Sequence, residues 1–294
     1  MMEAFRDFAA GNFAGGIGRL EQNPDWTDGQ NDPTRPYYLG FPGNMPGWGE
    51  GVLLASLLKR LAVPGNRTFD VFADPALCSL LSEDPSFNAT AAADFATARG
   101  QNARSPLAIL RAALTGDLLT RPFHPIQIDD APRRKKIGIA WASVMRNGNH
   151  LQAKSLPLNN MLQSVGSMAN TDILSFQRQT SAAEQAQLPA PAGINQVPDA
   201  ELNANDQLAV ARHIKPLDAM LTISTTTAHI AAALGKPTFV VAARRNGPQW
   251  FWQAQGDHAL ALYPTARVFL GDLQQNADWW PAPLQQATAE LNQL

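Results

Sequence analysis

The sequence predicts an α/β protein made of two Rossmann-like domains whose parallel sheets face each other across a cleft. Three observations predict it. Residues 37–73 read as strand, Gly-rich turn, helix and strand, a βαβ pattern that argues for a parallel sheet. A second alternation of strands and helices starts at residue 137 and runs almost to the end of the chain. Between the two, residues 122–132 are extended and bounded by Pro122 and Pro132, as an inter-domain crossing would be.

The elements follow in order. Phe5, Phe8, Phe13, Ile17 and Leu20 recur at helical spacings, so residues 1–25 predict one or two short helices. A polar loop follows to Arg35. Residues 37–41 are a short strand running into PGNMPGWGEG, which opens a helix at 52–61. Its apolar residues are nearly continuous, as in a helix packed on a sheet. A strand at 69–73 and a helix at 75–81 complete the first unit. Residues 88–120 are Ala-rich and poorly periodic, with one helix legible at 106–114. The basic run Arg133–Lys136 leads into the strand 137–141. Then come a polar loop at 142–155, a helix at 158–165, a strand at 172–177 and a helix at 180–187. A strand at 193–197 and a helix at 206–214 precede strand 219–223, helix 229–234 and strand 238–241. A last strand at 266–269 and a C-terminal helix at 283–294 close the chain. The expected organisation is an N-terminal helical segment and linker at 1–35, a first domain at 36–130 and a second at 131–294.

Composition narrows the chemistry. With 294 residues there is room for two filled cores, and 45% hydrophobic with 16% charged residues is ordinary for a globular protein. A net charge of −2 gives no reason to expect nucleic acid as a partner. Cys78, the single cysteine, rules out an intramolecular disulfide and reads as a small buried hydrophobe in ALCSLL. No stretch approaches the ~20 apolar residues that span a bilayer. The N-terminus, with Glu3, Arg6 and Asp7, does not read as a signal peptide, so a cytoplasmic location is expected.

The most informative stretch is residues 218–242, DAMLTISTTTAHIAAALGKPTFVVA. A strand feeds directly into Ser224, Thr225, Thr226 and Thr227, and then into a helix closed by Gly235 and Pro237. Hydroxyls, free backbone N–H groups and the positive end of the helix dipole converge there, which suits a phosphate. An ordinary N-cap needs one Ser or Thr. Four in a row followed by His229 exceed that need.

Polar residues after the other strands are the remaining candidates, since such halves bind ligands at the carboxyl ends of their strands. Gly47, Trp48 and Gly49 would let a ligand approach the backbone, and Glu50 at the helix start is a candidate general base. The same Glu would also suit the helix dipole. Ser143, Arg146, Asn147, Asn149, Lys154 and Ser155 occupy the loop after strand 137–141, where Arg and Lys could hold a diphosphate or simply face solvent. Gln177 could hydrogen-bond a base or ribose. Trp250 and Trp252 could stack on a base or sugar, or close the core. No spacing that would hold a metal appears, and neither a Walker loop nor a Gly-x-Ser-x-Gly elbow is present.

Taken together, these motifs resemble the heptosyltransferase-type glycosyltransferases of the GT-B architecture, and most closely the glycosyltransferase domains of bacterial tetratricopeptide-repeat proteins. GWGE (47–50) is similar to the family's Gly-x-Gly-Asp turn. IGIAWAS (137–143) with KSLPL (154–158), and SFQ (175–177), resemble its next two strand ends. STTTAHIAAALGKPT (224–238) resembles its central helix motif, and WFW with LYPTARVF (262–269) its downstream aromatics. The likeness spans about residues 37–285. It implies a nucleotide-sugar donor held by the second domain, an acceptor facing the first, and inverting transfer without a metal or other cofactor. Under it Lys154, Ser155, Thr225, Thr226, Thr227 and His229 would bind the donor diphosphate. Ser143, Gln177 and Trp250 would face the base and sugar, Gly47, Trp48 and Gly49 the acceptor, and Glu50 would take the place of the family's Asp base. In the heptosyltransferases proper an Asp stands where this chain has Ser224. The acceptor is open among carbohydrate, lipid-linked glycan and protein. The alternative is an inactive GT-B-fold binding or scaffold protein, and an epimerase of similar two-domain shape is a third reading.

Overall fold

A computed structural model describes residues 2–9, 12–23, 26, 34–41, 47–61, 68–115, 123–126, 136–143, 154–166, 168, 171–178, 180–188, 194–202, 206–244, 250–253, 262–272 and 279–294. Most of the loop carrying Arg146, Asn147 and Asn149, most of the basic run before residue 136, and the side chain of Trp250 lie outside the described residues.

The first sheet is small and parallel. Strands β1 (Tyr37–Leu39), β2 (Phe69–Ala73) and β3 (Phe87–Ala91) lie in the order β1-β2-β3, and Arg104 bridges to Tyr37. Helix α3 (Trp48–Leu61) connects β1 to β2, and α4 (Pro75–Glu83) connects β2 to β3. The sequence concealed β3. It is an edge strand, and of FNATA only Phe87 is fully buried, so no alternating pattern marks it. The same stretch holds α5 (Phe95–Gly100) and α6 (Leu107–Thr115).

The second sheet is complete. Strands β4 (Lys136–Ala140), β5 (Asp172–Ser175), β6 (Ile194–Gln196), β7 (Ala219–Ile223), β8 (Thr238–Arg244) and β9 (Ala266–Asp272) run parallel in the order β6-β5-β4-β7-β8-β9. That is the doubly wound order, with its reversal between β4 and β7. Helices α7 (Leu158–Val165), α8 (Ala182–Gln187), α9 (Gln207–Ile214), α10 (Thr226–Ala233), α11 (Trp250–Gln253) and α12 (Pro281–Leu291) complete this half. Every residue of β7 is buried, which explains its unbroken apolar run.

The halves meet along α3 and α10. A helix that is apolar all round must be covered all round. Accordingly Val52, Leu53, Leu54, Ala55, Leu57 and Leu58 of α3 are inaccessible to solvent, in one core that extends to Ala228 and Ile230 of α10. Part of the crossing segment is pinned between the same helices. Lys59 Nζ donates to Asp84 Oδ2 at 2.5 Å and to the Pro125 carbonyl at 2.6 Å, while the Ile126 N–H donates to the Ala233 carbonyl at 2.8 Å. At the N-terminus, α1 (Met2–Ala9) and α2 (Phe13–Glu21) pack on each other, α1 against α11 and α2 against α6. Cys78 is only partly buried, not a core residue; its Sγ lies 3.6 Å from the Asp74 carbonyl oxygen. Among the described residues no helix is long and apolar enough to cross a membrane.

Candidate functional site

A cavity of about 210 Å³ opens at the reversal of the second sheet. Its floor is the chain leaving β4 (Ala140, Ala142, Ser143), the chain leaving β5 (Phe176, Gln177, Arg178) and the chain leaving β7 (Ser224–Thr227 and His229). Gly49 and Glu50 of α3 close it from the first half, and Lys154 and Phe251 stand at its sides. Pockets for drug-sized ligands run to roughly 300–1,000 Å³. This one is smaller.

The start of α10 presents hydroxyls and backbone N–H groups at the cavity. The helix begins at Thr226, three residues earlier than the sequence predicted, because the threonines are helical rather than part of the turn. Thr225 is the N-cap, extended at φ −137° and ψ 166°, with Oγ1 accepting from the Ala228 N–H at 3.3 Å. One cap satisfies one donor. The N–H groups of Thr226 and Thr227 have no partner among the described residues, and both side chains are partly exposed at the cavity. At the other end Gly235 takes φ +76° and the Lys236 N–H returns to the Ala231 carbonyl at 3.0 Å, the glycine stop the sequence announced.

The start of α3 is different. Glu50 folds back on its own helix start, where its backbone N–H donates to the carboxylate. Burial nevertheless raises its pKa, against the opposing pull of that N–H and of Lys154. Gly49 is required by close approach, since a β-carbon there would lie 2.5 Å from Cδ2 of His229. Trp48 is the first residue of α3, buried, and its Nε1 donates to Asp74 Oδ1 at 2.9 Å. Trp48 and Gly47 lie outside the cavity lining, so the geometry gives Trp48 an anchoring job instead.

Lys154 and Glu50 both line the cavity, close enough for their charges to interact. Burial lowers its pKa and Glu50 raises it. Ser155 is not in the lining; its Oγ accepts the Ser143 N–H at 3.1 Å and ties the two ends of the loop together. Gln177 lines the cavity with its polar atoms already used. Oε1 accepts from the N–H groups of Trp141 (3.1 Å) and Ala142 (2.7 Å), and Nε2 donates to the carbonyls of Ala142 and Arg178 (both 3.1 Å). Base or ribose readout has no free donor there, because Gln177 holds the chain where β4 ends. Arg178, which sequence reasoning passed over, is the second cation of the cavity. Burial lowers its pKa, with Asp199 opposing. Its signal was its position, one residue after a strand-end motif. Among the described residues no group of three or more His, Cys, Asp or Glu could hold a metal.

His229 is 2% exposed and boxed by aromatics. Its ring centroid is 4.7 Å from those of Phe251 and Trp252 and 5.8 Å from that of Tyr263, and Nδ1 lies 3.2 Å from the Tyr263 hydroxyl. Burial, with Lys154 adding to it, drops its pKa from 6.5 to about 3, so the ring is neutral at physiological pH. Trp252 also donates from Nε1 to Ser224 Oγ at 2.9 Å. The residue at the family's acidic position is therefore tied to the aromatic box.

Two features decide the architecture: the doubly wound order of the six-stranded second sheet, and a helix N-terminus at a cavity that the first half closes. The fold is GT-B. Solved structures with this fold include heptosyltransferase II of E. coli (TM-score 0.56, 14% identity, 88% of this chain and 98% of that one). The E. coli heptosyltransferase WaaC with ADP gives 0.55 at 12% identity, over 88% and 99% of the two chains. A family 9 glycosyl transferase from Veillonella parvula gives 0.57 at 11%, over 90% and 98%. No protein-family model and no curated protein matches the sequence. At these identities the likeness establishes the GT-B fold, and the chemistry must come from the site itself.

Proposed function

We propose that this chain is a glycosyltransferase that moves a hexosyl or heptosyl group from a nucleotide-sugar donor to an acceptor hydroxyl, with inversion and without a metal. The observation that carries it is the convergence of two unclaimed helix-start N–H groups, Lys154 and Glu50 on one cavity. Thr225–Thr227, the N–H groups of Thr226 and Thr227, and Lys154 meet the charge that develops on the departing nucleoside diphosphate. Glu50 takes the proton of the acceptor hydroxyl as its oxygen attacks the anomeric carbon from the face opposite the leaving phosphate. A carboxylate whose pKa is raised by burial is the stronger base for this step.

In this reading residues 131–294 hold the donor, residues 36–130 face the acceptor, and residues 1–35 stand where related domains carry tetratricopeptide repeats. One helical hairpin is too little for a repeat surface of its own. A cytoplasmic location and a carbohydrate, lipid-linked or protein acceptor belong to the same proposal. One observation favours the second reading, an inactive GT-B-fold binding protein: Glu50 already caps its own helix, and Ser224 replaces the acid. Glu50→Gln separates the two. The transferase reading expects donor-dependent transfer to collapse while nucleoside diphosphate binding persists; transfer that survives Glu50→Gln removes the base, and binding without any transfer by the unaltered protein supports the second reading.

A further inference from the structure

The downstream aromatic motif, unused by the proposed chemistry, encloses His229, the one histidine among the described residues that line the cavity. Resting on the glycosyltransferase reading for its ligand, we propose that Tyr263 is a positioning residue that fixes His229 in the Nε2–H tautomer, making the buried ring a neutral hydrogen-bond donor toward the donor diphosphate.

The geometry supplies the argument. Nδ1 faces the Tyr263 hydroxyl at 3.2 Å, while the Cδ2–Nε2 edge faces Gly49 at the cavity wall. A neutral imidazole carries one N–H, and the partner at one nitrogen decides which nitrogen holds it. A phenol can donate or accept, so its other neighbours settle its direction. Arg60 lies on the α3 side of Tyr263, with Nη2 donating to the adjacent Leu262 carbonyl at 3.3 Å. The buried Ser56 hydroxyl stands beside the phenol and has no partner at ordinary hydrogen-bond geometry, so its proton can turn to the phenol oxygen. A cation and a second hydroxyl on that side draw the oxygen lone pairs toward them, and the O–H turns to Nδ1. The proton of His229 is then on Nε2.

The box keeps the ring there. Phe251 and Trp252 hold its orientation, and Trp252 is itself anchored on Ser224. Burial keeps the ring uncharged. A neutral N–H donor suits a diphosphate whose charge is already met by Lys154, because the site need not desolvate a further full cation beside Lys154 and Arg178 when it is empty.

Histidine ring 15N correlation spectra of the full-length protein at neutral pH test this, with the His229 signals assigned by their loss in His229→Gln. The expected result is a pyridine-like Nδ1 and a pyrrole-like Nε2 for His229 in the ligand-free protein. Tyr263→Phe should change that pattern toward a tautomer mixture and weaken ADP, UDP or GDP binding about tenfold, whichever of these binds. A pyrrole-like Nδ1 in the unaltered protein overturns the proposal, as does a Tyr263→Phe pattern identical to the parent's. The first result does not depend on Tyr263→Phe, so it stands even if that variant fails to fold. If the expected pattern appears but none of the three diphosphates binds, the tautomer assignment is supported and the glycosyltransferase reading falls instead.

Discussion

The starts of α3 and α10 meet at the cavity, and they are chemical opposites. Both are helix N-termini, with the same positive end of the dipole. At α3 the chain answers that field itself, by folding the Glu50 carboxylate onto its own backbone N–H. At α10 the answer is incomplete: Thr225 satisfies Ala228, and Thr226 and Thr227 keep their N–H groups toward the cavity. Under the proposed function, the closed terminus holds the base and the open one the anion site. The difference then teaches that the second half would bind the donor while the first contributes one acid.

Removing that acid should produce the largest effect. Glu50→Gln should lower transfer by about 10²–10⁴-fold, measured with the donor that binds, with little change in nucleoside diphosphate affinity. The contact between the termini also carries a pH signature through His229. Its folded pKa, about 3, lies below the unfolded 6.5, so the stability of the neutral buried ring is fully present above pH 6.5. It is lost as pH falls from 6.5 toward 3, because the unfolded chain takes up the proton first. Denaturant titrations over this range should steepen with acid, and His229→Gln should flatten the dependence. Filling the gap tests the glycine. Gly49→Ala puts a methyl 2.5 Å from His229 Cδ2 and should cost about 1–3 kcal/mol in chemical denaturation, with the cavity distorted. The smallest effect belongs to the cap. Thr225→Ala should cost about 1 kcal/mol in the same experiment, since the Ala228 N–H loses the hydroxyl but keeps the Thr225 carbonyl, and Thr222 loses one 3.4 Å hydroxyl contact.

Much of this comparison was legible in the sequence, for identifiable reasons. The strand β7, the glycine stop at Gly235 and the hydroxyl run are local signals, and the structure places Thr225–Thr227, His229, Lys154, Glu50, Gly49, Ser143 and Gln177 around one cavity. What the sequence hid depends on contacts between distant residues. Gln177 looked like a ligand-binding amide and is spent on the backbone of residues 141, 142 and 178. Trp48 looked like part of an acceptor loop and anchors on Asp74. The neutral state of His229 depends on Phe251, Trp252 and Tyr263, more than twenty residues away in the chain, which surround it. The edge strand β3 escaped because an edge with one fully buried residue leaves no period to read.

The central claim, that the open helix start and Lys154 together bind a nucleoside diphosphate, is tested most directly by calorimetric titration of ADP, UDP and GDP into the protein and into Lys154→Met. The account predicts that at least one of the three binds, and that Lys154→Met weakens it by about 10–100-fold through loss of a charge-assisted contact. Binding of none, or binding indifferent to Lys154, would contradict it.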